Sequence, residues 1–126
     1  MDAPAVAVTR DGMKFAVAWM DMRSGRNDRQ IYWSAMNGLK DKPLAGDSKG
    51  VKGHPSLSFD NRGVLHVAWE DDRSGVQRIR YRTPEGKDIP LSPEKGKASF
   101  PSLACGKVVG VTFEFNNDAA FVAVIE

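Results

Sequence analysis

One eight-residue segment occurs twice in the chain. Ala18-Trp19-Met20-Asp21-Met22-Arg23-Ser24-Gly25 and Ala68-Trp69-Glu70-Asp71-Asp72-Arg73-Ser74-Gly75 share six residues of eight, and long-range self-similarity constrains a fold more than any local propensity does. The match extends upstream, where Ala3-Pro4-Ala5-Val6-Ala7 corresponds to His54-Pro55-Ser56-Leu57-Ser58, and downstream, where Gln30-Ile31-Tyr32-Trp33 corresponds to Arg78-Ile79-Arg80-Tyr81. A third, weaker copy opens with Phe100-Pro101-Ser102-Leu103-Ala104 and sets Val111-Thr112-Phe113-Glu114 in the place of Val67-Ala68-Trp69-Glu70. The opening prolines Pro4, Pro55 and Pro101 lie 51 and 46 residues apart, close to the roughly 40–50-residue period of propeller blades.

Within a copy the order is strand, turn, strand, hairpin, strand. Arg10-Asp11-Gly12 and Asp60-Asn61-Arg62-Gly63 are turn chemistry between a first strand and a second. In the second strand Leu65, Val67 and Trp69 point one way and His66 and Ala68 the other, and Phe15, Val17 and Trp19 against Ala16 and Ala18 repeat the arrangement. Both faces suit burial, one with large residues and one with small, as a sheet between neighbouring sheets requires. Ser24-Gly25 and Ser74-Gly75 mark the next hairpin, and Arg26-Asn27-Asp28-Arg29 lengthens the first. Outer strands are expected near Lys42-Pro43-Leu44-Ala45 and Asp88-Ile89-Pro90-Leu91, where an edge tolerates proline. No window of ten residues has a helical period and a cap. The fold class is therefore all-β: three repeats of antiparallel strands forming propeller blades at approximately 1–52, 53–98 and 99–126.

The 126 residues suffice for one core. At 41% apolar and 27% charged residues the composition is globular, and no stretch reaches the roughly 18 apolar residues of a membrane span. No membrane association is expected. Met1-Asp2-Ala3-Pro4-Ala5-Val6 lacks a basic region followed by an apolar run, so no signal peptide is expected in this chain. A leader removed ahead of it would place it in the periplasm or outside the cell. Cys105 is the only cysteine, which excludes an intrachain disulfide and a Cys-based zinc cage, and it reads as a packed thiol. A net charge of +2, mixed along the chain, argues against a nucleic-acid partner. No cofactor or metal is expected: His54 precedes a proline while His66 is mid-strand, and the acidic run has no calcium-loop spacing.

Closed propellers have about four to eight blades, so three leave an arc with two open apolar faces. A homodimer completing a six-bladed ring is the leading expectation. The other is that the chain is a structural half of a longer propeller.

Pro55-Ser56-Leu57-Ser58-Phe59-Asp60, then Gly63, then the run from His66 to Gly75, then Ile79-Arg80-Tyr81, resembles the repeats of bacterial sialidase-like (neuraminidase-like) six-bladed β-propellers. The resemblance covers nearly the whole chain and implies that the ligand-bearing rim carries the hairpins after the second strand. The sequence departs from the family in two respects. The Ser-x-Asp-x-Gly-x-x-Trp box is absent, since Ser58-Phe59-Asp60-Asn61-Arg62-Gly63 has one residue too many before its glycine. The implied three arginines, Tyr–Glu pair and free acid find no counterparts, so no catalytic residue is assigned.

Asp21, Arg23, Asp71 and Arg73 are candidates for a polar ring on that rim, Arg holding a carboxylate or sulfate and Asp taking sugar hydroxyls. The competing role is scaffold: each Asp accepts hairpin N–H groups while each Arg bridges to the next blade. Glu70 with Asp71 and Asp72 could supply the two carboxyls of a glycoside hydrolase, but neighbours along a strand face opposite ways. Trp33, in the lengthened first repeat, is the candidate sugar-stacking surface. Arg78, Arg80 and Arg82 alternate along a strand and read as a solvated guard of an outer edge. Together these features indicate a non-catalytic or degenerate sialidase-like module that binds a ligand, a carbohydrate or a small anion, and associates with itself. A sialidase-like glycoside hydrolase is the alternative from another class.

Overall fold

Residues alternating with period two, bounded by Gly and Asx turns, become strands because each can bury one or both of its faces. The computed structural model describes residues 3–35, 39–46 and 48–125, with the backbone alone at 39–41 and 119. Met1, Asp2 and Glu126, at the ends of the expected arc, lie outside the described residues. β1 (Ala5–Val8), β2 (Phe15–Asp21), β3 (Gln30–Ala35) and β4 (Leu39–Pro43) form one antiparallel sheet in chain order, blade 1. β5 (Lys52–Phe59), β6 (Leu65–Asp71), β7 (Arg78–Arg82) and β8 (Asp88–Pro90) form blade 2. β9 (Ala98–Cys105), β10 (Val109–Phe115) and β11 (Ala119–Ile125) form the three-stranded blade 3. The only helical segment among the described residues is a 3-10 turn at Arg26–Asp28, inside the lengthened hairpin.

The outer strand of blade 1 starts earlier than expected. It ends at Pro43, and Leu44 beyond it is buried in the core with its N–H donated to Ile31 of β3.

The blades pack large face against small. Leu57, Val67 and Trp69 of blade 2 bury against Ala7, Ala16, Ala18 and Ile31 of blade 1. In the next layer, Leu103, Val111 and Phe113 of blade 3 bury against Ala68, Ile79 and Tyr81 of blade 2. Trp69 and Ala68, neighbours on β6, are both 0% exposed, so blade 2 is buried on its two faces. This is why its second strand has no polar side between Val67 and Trp69.

Backbone bonds repeat with the blades. Lys52 N–H donates to Arg29 and Ala98 N–H to Gln77, each tying the first strand of a blade to the blade before it. Asp72 N–H donates to Val51 and Asn116 N–H to Lys97, closing each hairpin onto its own blade's entry. The hairpins after the second strands and the inter-blade links therefore share one rim, the link rim. The turns at 60–63, 83–86 and 106–108 form the opposite turn rim.

Candidate functional site

The repeated motif builds the same corner twice on the link rim. In blade 2, Asp71 Oδ1 accepts the backbone N–H and Nε–H of Arg73, and Oδ2 accepts Arg73 Nη2 and the Trp69 indole. In blade 1, Asp21 holds Arg23 and Trp19 by the same four bonds. A carboxylate offers about four acceptor positions, so both are filled by the scaffold. Burial alone would raise the Asp71 carboxyl, but the Arg73 and Trp69 bonds outweigh it and hold it low. The Arg23 bonds hold the Asp21 carboxyl far below its ordinary value.

Arg73 turns back onto its own blade, where a bridge to the next blade was expected, and Arg23 packs on a ring of its own blade. Arg73 reaches Asp88 of β8 at 2.7 Å, and Arg23 lies 3.8 Å over the Tyr32 ring. Their span fixes this: two residues past its Asp, each guanidinium turns back along its own sheet. The acidic run is dispersed in the same way. Asp72 Oδ1 accepts Val51 N–H, while Glu70 accepts Phe100 N–H from blade 3 at 2.7 Å and meets His54 Nδ1 at 2.8 Å. Trp33 is half-buried on blade 1, with Arg82 of blade 2 set 5.2 Å over its ring. The strand of Arg78, Arg80 and Arg82 lies inside blade 2 rather than at its edge, because β8 pairs beyond it; Arg80 Nε meets Asp88 and Arg78 donates to Ser92 C=O. The six candidate residues are thus distributed over two corners, an inter-blade brace and a core wall.

Two clefts lie on the turn rim, between blades, and a further pocket of about 410 Å³ lies on the link rim beside Met22, Arg26 and Arg29. A cleft of about 440 Å³ separates blades 2 and 3, and its walls carry Asp60, Arg62, His66, Tyr81, Glu85 and Lys107. Its apolar side is supplied by Pro84, Val109 and Ile125. A second of about 390 Å³ lies between blades 1 and 2, with Arg10, Asp11 and Lys14 facing Asp60 and Arg62. The turn at 60–63 serves both.

The first cleft is stiffened by a buried chain of bonds. His66, 4% exposed, sits between Asp60 Oδ2 at 3.0 Å and Tyr81 Oη at 2.6 Å. Asp60 Oδ1 also accepts the N–H groups of Arg62 and Val64. Burial raises the Asp60 carboxyl, yet the His66, Val64 and Arg62 bonds together bring it down to about 2. Burial raises the Tyr81 hydroxyl and the Cys105 thiol. The cleft thus sets carboxylate, guanidinium and ammonium groups beside aliphatic carbons. No group of three or more His, Cys, Asp or Glu among the described residues is arranged to hold a metal ion, and no helix among them is long and apolar enough to cross a membrane.

The fold has a solved counterpart. A fucose lectin from Kordia zhangzhouensis, solved in complex with methyl-fucoside, superposes with a TM-score of 0.62 over 98% of this chain and 92% of its own, at 9% identity. At that identity the likeness is one of fold, and it extends over nearly the whole of both chains. No family model and no curated protein matches the sequence. The all-β, propeller-like architecture thus stands, while the sialidase-type repeat rests on its motif alone.

The sequence had pointed to the link rim, where identity between copies is densest. The turn-rim residues Arg62 and Lys107 carry no repeated motif, Tyr81 lies in the matched third strand, and their convergence depends on two blades meeting. Asp60 and His66 were visible in the sequence as a turn residue and a lone strand histidine, six residues apart.

Proposed function

We propose that this chain is a non-catalytic carbohydrate-binding module that takes a monosaccharide in the cleft between blades 2 and 3. The observation that carries the reading is that cleft: its volume falls in the ~300–1,000 Å³ range of small-molecule sites, and charged and hydroxyl groups line it beside the apolar Pro84, Val109 and Ile125. Arg62 and Lys107 supply donors, Glu85 an acceptor, and Pro84 and Ile125 a surface for the aliphatic face of a sugar. The shared fold with a chain solved in complex with methyl-fucoside supports the ligand class.

The hydrolase alternative has less support in this cleft. A glycosidase needs one carboxylic acid with a raised pKa opposite a second carboxylate, whereas Asp60 and Glu85 of this cleft are both shifted down. The functional unit in this reading is a six-bladed ring of two copies, supported by Val6 and Val8 at one end of the arc and Val122 and Val124 at the other, all more than half exposed.

Titration with methyl-fucoside and a panel of methyl hexosides, followed by calorimetry, tests the site. Arg62→Ala and Lys107→Ala are expected to weaken the best ligand at least tenfold with an unchanged melting temperature. Equal affinity in parent and variants, or no binding across the panel, overturns the assignment. Turnover of aryl glycosides overturns the non-catalytic part.

A further inference from the structure

The open ends of the arc carry the two halves of a contact that the chain already makes. At the blade 2–blade 3 contact, Leu103 N–H donates to Ser56 Oγ at 3.0 Å and Phe100 N–H to Glu70 Oε2 at 2.7 Å. Leu103, Val111 and Phe113 fill the large side of that contact. Aligned on the opening prolines and the second strands, Val6, Val17 and Trp19 of blade 1 stand where those three stand in blade 3. Ser102, Thr112 and Glu114 of blade 3 stand where Ser56, Ala68 and Glu70 stand in blade 2, and Val122 pairs with Thr112 as Tyr81 pairs with Ala68.

Burial differs sharply between the equivalent positions. Leu57 and Leu103 are each 8% exposed while Val6 is 63% exposed, and Tyr81 is 1% exposed while Val122 is 65% exposed. Glu114, the counterpart of the buried Glu70, is exposed. Gly110 takes the place of His66 and has nothing within 4 Å of the position a Cβ would occupy, which leaves the small face of blade 3 shallow and open.

We infer that a second copy of this chain seats the large face of its blade 1 on the small face of blade 3, continuing the blade 2–blade 3 contact, and does so twice about a twofold axis. The contact is directional, large face onto small, so the copies meet head to tail and like faces do not pair. Glu114 takes the N–H of the partner's Ala3, which precedes a proline as Phe100 does, and Ser102 takes the N–H of the partner's Val6. Two arcs give six blades, within the roughly four to eight of closed rings, and three arcs give too many. This rests on the ring assumed in the proposed function and deepens its site. Each junction lays the turn at 106–108 beside the partner's turn at 9–14, and within the chain turns of these two kinds, each set against 60–63, already frame the described clefts. A ring therefore has two further clefts, each completed by the partner.

Light scattering over a concentration series, with paired variants, tests the inference. The parent is expected at twice the chain mass, and Glu114→Ala is expected to weaken association at least tenfold. Val6→Glu/Val8→Glu and Val122→Glu, each on an exposed face and each checked for native near-ultraviolet circular dichroism, are expected to be monomers. Mixed one to one they regain a dimer, because one head-to-tail junction is intact in the mixed pair. A folded monomeric parent, a dimer that survives either variant, or a mixture that stays monomeric overturns it. Calorimetry on the monomeric variants keeps the two readings apart. Sugar binding retained in a monomeric parent overturns the ring alone, and a proven dimer that binds no sugar overturns the site alone.

Discussion

Asp71 and Asp21 make the same four bonds but not under the same burial, and this sets what each contributes. Asp71 is fully enclosed with Arg73 a quarter exposed, whereas Arg23 is half exposed beside Asp21. Removing one partner of a buried charge pair costs about 3–5 kcal/mol, and of an exposed pair about 1 kcal/mol or less. Asp71→Asn is therefore expected to lower the unfolding free energy by about 3 kcal/mol and Asp21→Asn by about 1 kcal/mol, read from urea midpoints. Equal losses would mean that burial does not discriminate the corners. The same groups set the acid limb. Asp21, Asp60 and Asp71 all have folded-state values below their ordinary 3.8. Their contribution is complete above that value and lost as pH falls through the folded ones. Stability is expected to hold from pH 7 to about 4.5 and to fall from about 4 toward 2, less steeply in Asp71→Asn. Parallel profiles for parent and variant from neutral to acid would remove Asp71 from the cause.

Among elements, the links between blades carry the tightest backbone. Gly50 has φ +97°, and a Cβ there would meet Asp72 Oδ1 at 2.6 Å and the Arg73 Cα at 3.0 Å. Gly75, in the hairpin of the same blade, has a similar φ of +96° and open space around it. Both substitutions by Ala incur strain of about 1 kcal/mol or more, but at Gly50 the carboxylate that accepts Val51 N–H must also move. Thermal melts are expected to show Gly50→Ala losing at least twice as much stability as Gly75→Ala. A loss at Gly50 no larger than at Gly75 would show that the link yields without cost. These close approaches were not legible in the sequence, where both glycines follow a polar residue in a loop. The blades were legible because both strand faces are apolar and recur with the prolines. The inter-blade cleft was not, because no single strand contains it: Arg62, Tyr81 and Lys107 meet only once blades 2 and 3 have docked. The repeated Asp–Arg pair attracted attention by its repetition, and in both blades the bonds of its carboxylate are made within the hairpin corner. A corner that blades 1 and 2 share is repeated, whereas a site made where two blades meet draws a different part from each.

Across the whole molecule, two hydrophobic clusters lie on opposite sides of one sheet. The first joins blades 1 and 2 through Trp69, the second joins blades 2 and 3 through Val111 and Phe113, and only the backbone of β6 is common to them. Stacked repeats of this kind have stabilities close to a sum of nearest-neighbour terms, so damage to one contact should release one blade before the other. Phe113→Ala removes a ring that is 4% exposed and is expected to cost about 3–5 kcal/mol, all of it at the second contact. Two probes separate the clusters. Cys105 lies in blade 3 with its thiol toward Ser58 C=O of blade 2, and the three tryptophans all lie in blades 1 and 2. In the parent, thiol labelling and tryptophan fluorescence are expected to follow one unfolding transition in urea. In Phe113→Ala, labelling of Cys105 is expected to begin at lower urea than the fluorescence change, because blade 3 detaches while the Trp69 cluster persists. Coincident transitions in the variant would mean that β6 couples its two faces tightly enough for the arc to unfold as one unit, and the nearest-neighbour account would then fail.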